Sequence, residues 1–65
     1  MNTFFEPYKS FKTAEMEFEQ AARVVLDGSI NGEPGRAEAL ARWVIAAENL
    51  EAATAAIATA IKRVQ

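Results

Sequence analysis

Histidine and cysteine are both absent from the 65 residues. Without thiols there can be no disulfide, and without thiols or imidazoles the ordinary zinc sites are excluded. The Cys–His and Ser–His–Asp nucleophile systems fall with them. No wholly apolar run reaches the roughly 18 residues of a membrane-spanning helix, so no membrane span is expected. The opening "MNTFFEPYKS" lacks the basic start and apolar core of a secretory leader, and none is expected. Missing cysteine suits a reducing compartment. The expected location is therefore the cytoplasm. Excess positive charge is lacking too: seven Lys and Arg face nine Asp and Glu, for a net charge of −2 and a pI near 5.0. Duplex binding draws on basic patches and counterion release, so DNA is not an expected partner. A small anionic ligand, which needs only a few local cations, stays open.

What is present is apolar and helical in pattern. The hydrophobic fraction is 51%, too high for a disordered chain. A chain this short buries a low fraction of its surface and is marginal alone. With disulfides and metals excluded, assembly with other copies is the remaining support.

The chain divides into four pieces. Residues 1–12 read as an aromatic arm carrying Phe4, Phe5, Tyr8 and Phe11. Pro7 disfavours the helical conformation at Glu6, and the arm is expected to lie on the helices or on a neighbouring copy. A first helix is expected over about 13–27, with the Thr13 hydroxyl as its cap and Glu15 and Glu17 at the positive end of its dipole. Phe11, Ala14, Phe18, Ala21 and Val25 keep the three–four spacing of an apolar stripe, and Gly28 supplies a stop. "GSINGEPG", residues 28–35, is turn chemistry. It lacks the glycine spacing and preceding strand of a phosphate-binding loop. A long helix is expected over about 36–64. Its stripe is Leu40, Trp43, Ala47, Leu50, Thr54, Ile57, Ile61 and Val64, close to a heptad pattern.

The fold class that follows is all-α: a short N-terminal arm and an antiparallel helical hairpin, one domain over residues 1–65. At about 1.5 Å per residue, the first helix would span roughly 20 Å and the second roughly 43 Å. Much of the long helix would then lie bare. Leaving each large apolar side chain in water forgoes roughly 1.5–3 kcal/mol. A homo-oligomeric bundle is the economical remedy, with Trp43, Leu50, Ile57 and Ile61 at the interface between copies.

Catalytic chemistry has little to work with. Glu15 and Glu19 fall on one wet face, and paired carboxylates need burial to split their pKa values. We expect no enzyme, no cofactor and no metal. Binding has more: Tyr8 stands beside Lys9 and Lys12, with Arg23 one helical segment on. An aromatic ring can stack on a base while cations face phosphate.

Two stretches carry a family resemblance. "YKSFKTAEMEF", residues 8–18, resembles the first conserved block of the phage anti-CBASS sponge proteins, small helical proteins that sequester cyclic oligonucleotide signals of bacterial immunity. Tyr8, Lys9, Phe11, Thr13 and Glu15 match its tyrosine–basic pair, apolar residue, cap and acidic helix start. Arg42-Trp43, Ile45-Ala46, Leu50, Ala56 and Ala60-Ile61 match the family's last helix if one residue is missing after the tryptophan. The resemblance implies a helical hairpin assembled as a compact homo-oligomer, often a hexamer. It implies that Tyr8 stacks on a nucleobase at a subunit interface and that Arg23 contacts the same ligand, with Lys9 or Lys12 assisting. The expected ligands are cyclic dinucleotides such as cGAMP, and cyclic trinucleotides. The family commonly has bulkier residues where this chain has "AATAA", residues 52–56. The alternative is a small helical protein–protein interaction module, such as a phage inhibitor of a host protein, whose apolar stripe receives a partner.

Overall fold

The computed structural model describes residues 3–27 and 35–65. Two helices make up the described chain: α1, Phe5–Leu26, and α2, Gly35–Val64. They pack side by side as an antiparallel hairpin, a rod of 49 × 15 × 13 Å. The all-α hairpin expected from the sequence is the fold. The Gly28 stop and the turn, apart from Gly35, lie outside the described residues.

The helix start differs. Most of the aromatic arm is helix: α1 begins at Phe5, not at Thr13, and of the described residues only Thr3 and Phe4 precede it. Pro7 explains why. The first intrahelical bond runs from the Tyr8 N–H to the Phe4 carbonyl, 2.9 Å. Pro7 therefore sits in the first turn, where a backbone N–H would have no helical acceptor, and its fixed φ suits the helix. Thr13 lies mid-helix, and Phe4 at the cap position makes no side-chain capping bond. Glu6 takes the dipole role in the first turn that was assigned to Glu15 and Glu17. At the other end Arg23 faces the negative end of α1, as Lys62 and Arg63 do in α2.

The seam follows a seven-residue rhythm in both helices. In α1 the half-buried or buried residues include Pro7, Phe11, Ala14, Phe18, Ala21 and Val25, the stripe the sequence predicts. In α2 they are Gly35, Ala39, Trp43, Ala46, Leu50, Ala53, Ile57 and Ala60. Trp43 and Phe18 meet with ring centroids 6.2 Å apart. Counting outward from that pair in antiparallel sense sets Phe11 level with Leu50 and Phe4 level with Ile57. The alanines fall between, Ala14 level with Ala46 and Ala21 with Ala39. Large side chains thus form one row along the seam and small ones the other, so the helices approach closely on the alanine side.

This corrects the α2 stripe. Trp43, Leu50 and Ile57 stand on the seam as expected, but Leu40, Ala47, Thr54 and Ile61 are exposed. The alanines one residue before each of them take the inward positions. The reason is geometric: on a helix, residues at either a three- or a four-residue step share a face, and close approach favours the smaller set. Ala14, Ala39 and Ala46 are the buried apolar residues, and no large side chain among the described residues is fully buried.

The length argument changes with the helix start. At about 1.5 Å per residue, α1 runs roughly 33 Å against roughly 45 Å for α2. By the counting above, only about the last two turns of α2 overhang. The bare apolar surface lies along the side of the hairpin, not at its end. By length and composition α2 could also cross a membrane, contrary to the expectation from unbroken apolar runs; alanine-rich stretches reach that threshold with Glu48 and Glu51 inside them. A helix packed in the core of a soluble protein meets the same criterion.

Candidate functional site

Tyr8 stands at the first hydrogen-bonded turn of α1, with 55% of its surface exposed. Lys12, one turn on, shares its face. The Lys12 ammonium donates to Glu15 Oε1 at 2.8 Å. That hydrogen bond, with the attraction of the Glu15 charge, holds the Lys12 amine above its ordinary 10.5. Lys9 turns instead toward Phe5, its Nζ 5.8 Å from the ring centroid, a cation–π contact. The early helix start sets this group: in an extended arm, Tyr8 and Lys12 would stand roughly 13 Å apart along the chain, not one helical turn.

Arg23 stands apart. Fifteen residues along α1 put it roughly 22 Å from Tyr8. It lines a depression of about 550 Å³ at the C-terminal end of α1 with Ala22, Val24, Leu26 and Asp27. One chain therefore joins Tyr8, Lys9 and Lys12 but not Arg23. A ligand touching both Tyr8 and Arg23 would need two copies.

A second groove, of about 500 Å³, runs along the alanine side of the seam. Ala21, Ala39 and Ala46 form its floor; Val24, Ile45 and the polar Glu17, Glu38, Arg42 and Asn49 form its walls. None of the residues expected to hold a ligand lines it. It arises because alanine rows leave a shallow channel between helix backbones.

Of the four residues expected between copies, Trp43, Leu50 and Ile57 are half-buried on the seam facing α1, and Ile61 is exposed. The Trp43 indole N–H is closed off from solvent without an acceptor among the described residues. Such an orphan donor costs about 1–3 kcal/mol. No cluster of three metal-ligating side chains occurs among the described residues.

No family profile, curated protein or solved structure matches this chain.

The exposed stripe of α2 differs in part from the expected one: Ile61 belongs to it as expected, whereas Leu40 was expected on the inward stripe. Leu40, Val44 and Ile61 stand in water on one side of the hairpin. Their signal was in the sequence, because α2 is apolar on more sides than one partner helix can cover.

Proposed function

We propose that this protein is a non-catalytic binding protein that assembles with copies of itself and sequesters cyclic oligonucleotide signals, antagonising bacterial anti-phage defence. Cyclic dinucleotides such as cGAMP are the first candidates and cyclic trinucleotides the second. The observation that carries this reading is the exposed Tyr8 ring with Lys12 on the same helical face. A flat π surface beside an ammonium suits a base joined to a phosphate. Tyr8 is also where the sequence resembles the sponge family, through the adjacent pair Tyr8-Lys9. Lys12 would exchange Glu15 for phosphate on binding, and Arg23 would come from a second copy.

The test is a thermal melt with and without each cyclic nucleotide. A ligand at a hundredfold excess over its dissociation constant adds about 2.7 kcal/mol, which is roughly 10 °C or more for a domain this small. Tyr8→Ala should abolish the shift. A wild-type protein unmoved by cyclic di- and trinucleotides sinks the ligand assignment.

The second reading, a protein–protein interaction module or inhibitor of a host protein, draws on the apolar side of α2. It predicts no ligand shift and a stable complex with a different protein.

A further inference from the structure

The uncovered apolar surface has a side. In the heptad frame of the seam, Phe5, Tyr8 and Leu26 of α1 and Leu40, Val44 and Ile61 of α2 flank the row of large residues. All six are exposed. The opposite flank, beside the alanine row, carries Met16, Val24 and Ile45 among Glu17, Gln20, Glu38, Arg42 and Asn49. Adjacent residues make the contrast plain: Val44 is 57% exposed on the first flank and Ile45 is 56% exposed on the second.

Thr54, Lys12 and Glu15 on the apolar flank already have partners inside the chain. The Thr54 hydroxyl donates to the Leu50 carbonyl at 2.9 Å, which turns its donor back onto the helix. Lys12 and Glu15 neutralise each other. Glu19 and Glu51 are the remaining charges there, and both are exposed.

The area supports a second copy as the occupant. The chain exposes 5077 Å² at 7.1 kDa, whereas compact monomers of that mass expose about 4,100 Å². The excess, roughly 1,000 Å², compares with the roughly 800 Å² that each partner contributes to a standard stable interface.

We infer that two hairpins face each other across the flank formed by Leu40, Val44 and Ile61 of α2 and Phe5, Tyr8 and Leu26 of α1, closing a four-helix bundle by two-fold symmetry. A two-fold contact uses the same patch twice, so one apolar side suffices and the polar side stays wet. Leu40, Val44 and Ile61 keep the near-heptad spacing that left-handed helix pairs use. This inference rests on the part of the proposed function that has copies associate, and not on any ligand.

The test pairs Val44→Glu with Ile45→Glu and reads mass by sedimentation. The wild type and Ile45→Glu should show two chains or an even multiple of two. Val44→Glu should sediment as a single chain or lose its helical circular dichroism. For a readout that does not depend on the charged variant folding, Val44→Cys and Ile45→Cys place the sole thiol on each flank. A bulky maleimide should label the Val44→Cys variant roughly tenfold or more slowly, because reaction waits for opening of the interface. Equal labelling, or an odd number of chains, overturns the inference. A multimer dissociated by Ile45→Glu and not by Val44→Glu overturns the choice of flank while association itself stands. A monomeric wild type overturns both.

Discussion

The two helices of the hairpin solve different problems. α1 is strongly two-sided: Phe11, Ala14, Phe18, Ala21 and Val25 turn inward, while Glu6, Lys9, Glu17, Glu19 and Arg23 stand in water. α2 is apolar on several sides at once, with inward alanines, a row of Trp43, Leu50 and Ile57, and an outer set of Leu40, Val44 and Ile61. One partner helix covers the inward stripe of α1 but leaves Phe5, Tyr8 and Leu26 exposed, and it leaves α2 open on more than one side. The difference shows that a helix with one apolar stripe names its neighbour, whereas a helix with more than one asks for more neighbours than the chain supplies.

The contrast can be broken at its strongest point first. Trp43 is the one large aromatic ring of α2 and meets Phe18. Trp43→Ala should cost roughly 3 kcal/mol, enough to unfold much of so small a domain, as read by chemical denaturation. Ala46→Leu comes next. It forces a large side chain into the close alanine row and should cost about 1–3 kcal/mol. Ala55→Leu, on the exposed side of α2, should be nearly neutral by the same measurement. Equal costs would show that the alanine row does not set the helix spacing. Trp43→Phe should change stability by less than about 1 kcal/mol, since lost packing is offset by removal of an unpartnered N–H.

The smallest effect belongs to α1. Lys12→Met removes the ion pair to Glu15, and because both groups are exposed the melting temperature should barely move. The direction with pH is defined. The Lys12 amine is raised above 10.5 in the folded chain, so its contribution is full below that value and fades as pH rises through the folded value. A melt near pH 7 should show the small difference between wild type and variant, and the difference should shrink as pH rises past the folded value of Lys12.

The same contrast explains what the sequence could tell. The α1 stripe was legible because its charges leave one apolar face. The start of α1 was not, because Pro7 is compatible with an extended arm and with a first helical turn, and local preference does not choose between them. Packing of Phe4 and Phe11 at the levels of Ile57 and Leu50 favours the helix. The inward row of α2 was misplaced by one residue because the larger side chains were assumed to face inward, whereas helix approach favours Ala39, Ala46, Ala53 and Ala60. The grouping of Tyr8 with Lys12 was legible from a four-residue spacing, though only on a helix the sequence did not predict there. Arg23 was legible as a nearby cation in sequence, and its distance from Tyr8 emerges only from the rod.

The central claim is that one side of this hairpin is apolar beyond what its own residues can cover. Light scattering on the wild-type protein at micromolar concentration tests it most directly. The account predicts a particle of two chains or an even multiple of two. A folded, cooperatively melting species of 7.1 kDa would contradict it.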